Sequence, residues 1–176
     1  MIGLKRGTVK LLKYNPSWKK SFEREASKIK KVFGKTALRI EHVGSTAIPG
    51  LSAKPIIDIA VVVSSLKSAR KSVRALKKIG YIPKEEKRSD RLFFTKGPEI
   101  KRTYYLHIGE IDSGYAEDMI LFRDYLREHK DTAKHYSELK SKLAEKYRNT
   151  REVYTAKKER LVKEIVRKAK KSPQQR

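Results

Sequence analysis

The sequence predicts an α+β fold, with a mixed β-sheet core, covering helices and a helical C-terminal layer. Two observations predict this arrangement. Residues 56–63 are apolar on both faces, which is typical of a covered central strand, and helical periodicity runs from Tyr115 almost to the end of the chain. The 176 residues fit one domain, 1–176, with its core at about 9–110 and C-terminal helices at about 115–171.

Periodicity and turn residues define the elements that precede this strand and the strand itself. Asn15 and Pro16 form a turn signal, and Gly34 ends an amphipathic segment in which apolar residues recur at helical spacing. The predicted elements are a strand at 9–12, a helix at 17–32, a strand at 37–43 and the strand at 56–63.

The remaining elements continue the same alternation before the helical layer begins. A basic amphipathic helix ends at Gly80, and the C-terminal region divides near Lys130-Asp131 and near Asn149-Thr150 into three helices. The predicted elements are a helix at 65–79, strands around 81–82, at 91–95 and at 102–108, and then the three helices.

The chain is strongly basic, with 44 Lys and Arg residues against 20 Asp and Glu residues and a formal net charge of +24. Such a field attracts nucleic acid, nucleotides or phosphorylated metabolites, although a solvated lysine-rich surface explains the same composition. The absence of cysteine excludes disulfides and thiolate metal sites. Because no apolar run is long enough to span a membrane and no apolar leader is present, we expect a cytoplasmic protein with no membrane association.

Asp58 is a single carboxylate inside the otherwise apolar strand 56–63. A buried carboxylate costs several kcal/mol unless a cation or a hydrogen-bond donor compensates it, so Asp58 requires a partner. The preceding Gly44-Ser45 turn can expose backbone N–H groups and a hydroxyl to an anion. With Lys54, these parts suit a metal–triphosphate, although the turn alone is a weak signal and Lys54 can instead neutralise Asp58.

Two histidines are candidates for a divalent-metal site around Asp58. Glu41 and His42 point to opposite sides of an extended chain, so at most one of them faces the site. His107 shares a strand face with Tyr105, and a lone strand histidine is more often a hydrogen-bonded core residue than a ligand. Both histidines near Asp58 would reverse that preference.

Several cations are candidates for phosphate contacts. The planar fork of Arg91 suits bidentate phosphate binding. In the helical half, Arg123 and Arg127 lie four residues apart on one face, Lys140 lies within an apolar stripe, and Lys157 follows Tyr154 by three residues. Each of these helical cations is typical of a residue flanking an apolar stripe, but together they suit the mouth of an anion site.

The segments EHVGSTAIPGL at 41–51 and KPIIDI at 54–59 resemble the signature of the GrpB family. The agreement extends from about residue 9 to 169 and includes YNPSW at 14–18, Arg91, LHI at 106–108, LFRDYLR at 121–127, Tyr154 and Lys157. The resemblance implies the nucleotidyltransferase fold of the polymerase-beta-like superfamily. In that superfamily a Gly-Ser element binds the triphosphate, and carboxylates on the following strands hold divalent metal.

Carried over, the resemblance makes Asp58 the first metal carboxylate and implies Mg or Mn as cofactor. Active members of the superfamily usually carry a second carboxylate two residues later, where this chain has Ala60. Spacing supports none of Asp90, Glu99 and Glu110 as a third. The predicted phosphate-binding residues are Gly44, Ser45, Thr46, Lys54, Arg91, Arg123, Lys140 and Lys157. The predicted metal ligands are Asp58, His42 and His107, and the predicted catalytic residues are Asp58 and His107.

Three functions remain open from the sequence. The first is metal-dependent nucleotide binding or nucleotidyl transfer to an unknown acceptor. The second is a catalytically inactive module that binds a phosphorylated small molecule, which the alanine at position 60 favours. The third is a non-specific nucleic-acid binder that works through its basic surface. The sequence does not indicate an oligomeric state.

Overall fold

The computed structural model describes residues 2–85, 88–98 and 100–172. Single 3₁₀ turns at Gly34–Thr36, Ser45–Ala47 and Ile111–Ser113 connect some of its elements. In chain order the elements are β1 (Leu4–Lys5), α1 (Ser17–Phe33), β2 (Ala37–Val43), β3 (Ile57–Val63), α2 (Leu66–Arg70), α3 (Val73–Lys78), β4 (Tyr81–Lys84), β5 (Arg91–Lys96), β6 (Lys101–Arg102), β7 (Tyr104–Glu110), α4 (Tyr115–Glu128), α5 (Lys130–Lys146) and α6 (Arg151–Lys171).

The main sheet has five strands in the order β2-β3-β7-β5-β4. β3 and β7 run parallel, whereas the other neighbouring pairs are antiparallel. The predicted mixed sheet is therefore confirmed, and β3 lies inside it with a partner on each side. β1 and β6 form a separate two-stranded antiparallel sheet.

One face of the main sheet carries the largest core cluster. Alternate residues of β3, including Ile57 and Ile59, point to this face and pack with Trp18 and Ile29 of α1 and Leu76 of α3. All five side chains are fully buried. Burying an aliphatic side chain of this size stabilises the fold by about 1.5–3 kcal/mol, so this face fixes the position of β3.

The opposite face of the sheet is covered only in part. Val43, Ala60 and Val62 pack under Ala116 and Ile120 of α4. Farther out, a third cluster joins the loop after β2 to the C-terminal helices through Ile48, Leu51, Phe122, Leu126, Tyr136 and Ile165. The remainder of this sheet face is therefore separated from α6 by open space, which forms a cleft.

Three predicted elements differ from the structure. Residues 9–12 are not a strand, because Leu12 forms only an isolated bridge with Ala53 and Val9 N–H donates to the carbonyl of Arg148. The helix predicted at 65–79 is split into α2 and α3, since the N–H groups of Lys71 and Ser72 bond to carbonyls three residues back. The strand predicted at 102–108 is interrupted at Thr103.

The other predicted elements are confirmed within a few residues. The helix before Gly34 and the strand Ala37–Val43 lie where periodicity predicted them. The C-terminal region forms three helices that separate at His129 and again between Tyr147 and Thr150. Among the described residues, no helix combines the length and apolarity that crossing a bilayer requires.

Leu106 anchors β7 to the core between Tyr105 and His107, which point the other way. Leu106→Ala should lower the free energy of unfolding by about 2–5 kcal/mol, because the substitution leaves a cavity under a fully buried position. Urea denaturation monitored by circular dichroism measures the change. Leu38→Ala, at a side chain that is 49% exposed, is the matched control and should change stability by at most about 0.5 kcal/mol. Equal effects of the two substitutions would contradict this packing.

Candidate functional site

A cleft of about 1520 Å³ lies between the open part of the sheet face and the C-terminal helices, mainly α6. Its floor is formed by side chains of β3, β7 and β5, and the turn after β2 closes one end. Among the described residues that line it, thirteen are Lys or Arg and four are Asp or Glu. The cleft is therefore a basic cavity on an apolar scaffold.

The strand register lays the floor out in rows across the sheet. Asp58 is paired with Val43 on one side and with Tyr105 on the other, and Tyr105 is paired with Thr95. The next row joins Ala60, His107 and Phe93. Because paired residues share a face, Asp58, Tyr105, Thr95 and His107 all point into the cleft.

Asp58 lies directly against the glycine–serine turn. Gly44 has φ +70°, and a Cβ atom there would lie only 2.8 Å from Oδ2 of Asp58. Glycine is therefore required at position 44 both for its backbone and for the approach of the carboxylate. The expectation that Asp58 is buried is wrong, because its side chain is 29% exposed through the cleft.

His107 is held between two partners on the cleft floor. Its Nε2 lies 3.2 Å from Oδ1 of Asp58, and its Nδ1 lies 2.8 Å from the hydroxyl oxygen of Tyr115. The ring of Phe93 packs against it with centroids 5.0 Å apart. The structure thus brings together the two residues predicted as catalytic, and the hydrogen bonds fix the orientation of the imidazole.

The predicted metal-ligand set does not converge. His42 is paired with Ile59, so the pleat sends its side chain to the face opposite Asp58. There it stacks on Phe22, and its Nε2 lies 3.0 Å from Oγ1 of Thr46. Burial lowers the pKa of His42 to about 4. Among the described residues, no group of three or more His, Cys, Asp or Glu side chains is arranged to hold a metal ion.

Position 60, where related folds carry a second metal-binding carboxylate, is not accessible from the cleft. Ala60 is fully buried beneath α4. Neither described candidate for a third carboxylate lines the cleft. Asp90 pairs with Arg88, and Glu110 accepts a hydrogen bond of 2.7 Å from the N–H of Leu66. Glu99 lies outside the described residues.

Three lysines of the cleft converge on the rings of Tyr136 and Tyr154. The Nζ atoms of Lys54 and Lys158 lie 5.3 and 5.4 Å from the ring centre of Tyr154, and that of Lys140 lies 4.9 Å from the ring centre of Tyr136. Lys140 also donates a hydrogen bond to the carbonyl of Ser52. Such cation–π contacts partly replace lost hydration, but they supply no negative charge.

The pKa values reflect this crowding of cations. Burial, followed by the charge of Lys158, lowers the pKa of Lys54 to about 7 and that of Lys140 to about 6. Burial also lowers the pKa of Lys158, but Tyr136, Tyr154 and Asp58 together outweigh it and raise that pKa. At neutral pH the cluster is therefore partly deprotonated, with Lys158 keeping its charge.

Two predicted phosphate-binding residues lie outside the cleft. Lys157 is exposed on the far side of α6, and Lys158 takes the inner position. Arg123 is saturated, because it donates to Glu41 at 2.6 Å, to the carbonyl of His42 at 3.0 Å and through two bonds to Asp124. It ties α4 to β2. The other six line the cleft, namely Gly44, Ser45, Thr46, Lys54, Arg91 and Lys140.

Sequence reasoning missed most of the cationic residues of the cleft, among them Lys158, Arg151 and Arg102. The signal for Lys158 was available, because it lies one helical turn after Tyr154 and one before Val162, on the apolar stripe of α6. Arg151 donates to the hydroxyl of Tyr105 at 2.9 Å and to the carbonyls of Thr8 and Lys5. No sequence pattern identifies such contacts across the fold.

The fold and the site together define an α+β protein with one large basic cleft beside a glycine–serine turn. The sequence profile of the family described as "GrpB protein" matches residues 8–168, so the chain belongs to the GrpB family. It is 38% identical over 171 residues to the glutamate-rich protein GrpB of Alkalihalophilus pseudofirmus, covering 94% of this chain and 98% of that protein.

Two further comparisons agree with this assignment. The crystal structure of the conserved protein GrpB from Enterococcus faecalis has a TM-score of 0.84 and 34% identity, covering 91% of this chain and 96% of that one. The UPF0157 protein YqkA of Bacillus subtilis is 38% identical over 156 residues. The match covers 88% of this chain but only 45% of that relative, so the chain spans less than half the length of YqkA.

The buried amine of Lys140 should make stability depend on pH. In the unfolded chain Lys140 keeps its proton up to about pH 10.4. In the folded chain its pKa falls to about 6. The unfolded state therefore binds more protons between these values, and the free energy of unfolding should rise with pH across that window. Urea denaturation from pH 6 to 9 measures the slope.

Lys140→Met should reduce this slope, since it removes one of the two titrating amines, while Lys54, whose pKa is lowered to about 7, should keep part of it. Lys157→Met, which removes an exposed lysine of similar sequence context, should keep the wild-type slope. Identical slopes for the wild type and Lys140→Met would show that the amine at position 140 is not desolvated.

Proposed function

We propose that this chain binds a nucleotide or another phosphorylated small molecule in the basic cleft. The observation that carries the proposal is the cluster of Lys54, Lys140 and Lys158 on its inner wall. Among the described residues, none of the three forms an ion pair with a carboxylate. A bound phosphate would supply the missing negative charge.

The physical argument is the cost of burying like charges together. Removing an ammonium group from water costs several kcal/mol, and a neighbouring ammonium adds to that cost. This cost lowers the pKa values of Lys54 and Lys140, so both amines release their protons more easily than a lysine in water. A bound phosphate would stabilise the charged lysines, because its negative charge and its acceptor oxygens suit several ammonium donors at once.

The turn at the end of the cleft provides a second type of phosphate contact. Gly44 and Ser45 line the cleft beside Asp58, and the absence of a side chain at Gly44 allows a ligand to approach the backbone. The guanidinium of Arg91 lies 4.8 Å from the ring centre of Tyr115 at the edge of the same floor. A cleft of about 1520 Å³ exceeds the usual range for drug-sized ligands, so it has room for a nucleotide.

The position of the lysines favours a small ligand over a nucleic acid. Duplex and single-stranded nucleic acids are bound mainly by exposed cations that track the backbone. Here Lys140 is only 1% exposed. Such an inner position suits a phosphate that enters the cleft.

ATP binding should depend on Lys158 and not on the preceding residue, Lys157. Isothermal titration with ATP should give measurable affinity for the wild type, and Lys158→Gln should weaken it by about tenfold or more, because a hydrogen bond to a charged group contributes about 1.5–3 kcal/mol. Lys157→Gln removes the same charge from the exposed side of the helix and should stay within about twofold of the wild type. No heat with any common triphosphate, or equal losses in the two variants, would contradict the proposal.

Asp58 makes nucleotidyl or phosphoryl transfer the second candidate function, since its carboxylate lies against the phosphate-binding turn. Mg²⁺ in such sites is bound through one or two carboxylates together with substrate phosphates. Asp58 fits that role as a single carboxylate ligand for Mg²⁺ or Mn²⁺, whereas the buried position of Ala60 leaves no place for a second. A bound ion would neutralise phosphate charge beside Asp58, and His107 would orient the carboxylate.

A divalent ion should therefore bind only together with the nucleotide. Electron paramagnetic resonance measures free Mn²⁺. Protein alone should lower the free Mn²⁺ signal only as much as weak surface binding does. Protein and ATP together should lower it more than ATP alone does. Asp58→Asn should abolish this additional loss while ATP still binds without metal. Tight Mn²⁺ binding to the nucleotide-free protein would contradict a single-carboxylate site.

A further inference from the structure

The end of the cleft away from the glycine–serine turn contains a buried cation that the proposed nucleotide contacts do not use. Arg102 lines the cleft and is 5% exposed, and its Nη1 has no hydrogen-bond partner among the described residues. Thr95, which also lines the cleft, is 4% exposed, and its hydroxyl likewise has no partner in the described part of the chain.

The lack of a hydrogen-bond partner at Nη1 distinguishes Arg102 from Arg123, the other described arginine that is buried to a similar degree. Arg123 is buried to a similar degree, but it is saturated by Glu41, Asp124 and a backbone carbonyl. A guanidinium also differs from the lysine cluster because it cannot release its proton under ordinary conditions. No described carboxylate forms an ion pair with Arg102, so its burial is a cost of folding that an anion would offset.

The register places Thr95 at a defined distance from the turn. The row Val43, Asp58, Tyr105 and Thr95 crosses four adjacent strands. Neighbouring strands lie about 4.8 Å apart, so the row spans about 14 Å. Thr103, which follows Arg102, donates hydrogen bonds from its N–H and its hydroxyl to the carbonyl of Lys96, which follows Thr95, so Arg102 lies at the Thr95 end of the row.

We propose that Arg102 and Thr95 form a second phosphate subsite, and that the ligand of this cleft carries two separated phosphoryl groups. One group lies at the Gly44-Ser45 turn and the lysine cluster, and the other lies at the Arg102 end. The guanidinium donates to phosphate oxygens as a planar fork, and the hydroxyl of Thr95 adds one donor. The inference rests on the proposed function and narrows its ligand class.

Synthetic bisphosphates test the number and spacing of the subsites without knowledge of the natural ligand. Isothermal titration of the full chain, without metal, compares alkanediol bisphosphates from butane to dodecane with alkyl monophosphates of the same length. Bisphosphates near one optimal length should bind at least about tenfold more tightly than their monophosphate partners, as expected when a second charge-assisted contact forms. The advantage should decline for shorter and longer spacers.

Substitutions assign the advantage to this end of the cleft. Arg102→Met should remove most of the difference between bisphosphate and monophosphate affinities, and Thr95→Val should reduce it. Lys157→Met removes a charge outside the cleft and should keep the full difference. Arg102→Met should also raise the melting temperature of the ligand-free protein, because it removes an unpaired buried charge. An arginine with a purely structural role would lower the melting temperature on replacement.

The outcomes separate this inference from the proposed function. Monophosphates that bind while bisphosphates of every length bind no better would overturn the second subsite and leave the phosphate cleft in place. Failure of both series, together with failure of ATP, would overturn both. If Arg102→Met does not fold, the length series on the wild type and on Thr95→Val decides between these results.

Discussion

The excess of buried positive charge in the cleft is the constraint on which the rest of the site depends. Surface cations cost little because water solvates them, but Lys140 and Arg102 are almost completely enclosed. The protein reduces the cost in two ways, by lowering the pKa of lysines and by placing Lys54, Lys140 and Lys158 over tyrosine rings. The first is not available to the guanidinium of Arg102, and neither supplies an anion, which is the basis for proposing an anionic ligand for this cleft.

The packing of α4 decides which chemistry this sheet supports. Arg123 fastens α4 to β2 through Glu41 and the carbonyl of His42, and Ile120 then covers Ala60. The same contacts that stabilise the helical layer occupy the place where a second carboxylate would meet a metal ion. Asp58 is not covered by α4, because it lies two residues earlier in β3, beside Gly44. One carboxylate in a basic cleft favours phosphate binding and leaves any bound ion dependent on the phosphates themselves.

Local patterns predicted the sheet and most helices, because alternation and turn chemistry depend on neighbouring residues. The proximity of Asp58 to Gly44 and His107 was expected mainly from the resemblance to the GrpB family. The wrong predictions concern side chains whose positions depend on tertiary contacts. His42 faces away from Asp58 because of the pleat, as alternation allowed, but only the register shows which side is the cleft. Lys157 and Lys158 differ by 100° of helix rotation, so the choice between them depends on how α6 docks. That Nη1 of Arg102 has no hydrogen-bond partner in the described part of the chain follows only from the folded structure.

The composition admitted two interpretations of the +24 charge, a solvated surface or a field for polyanions, and the structure assigns them to different residues. Lysines such as Lys19 and Lys168, with side chains 76% and 47% exposed, pair with nearby glutamates on helix surfaces. Their contribution is solubility and a diffuse attraction for anions. Lys54, Lys140 and Lys158 have no such carboxylate partners among the described residues and instead contact tyrosine rings inside the cleft. Burial, rather than the number of basic residues, therefore separates these three lysines from the basic surface, and it is the reason for proposing as ligand an anion small enough to enter the cleft.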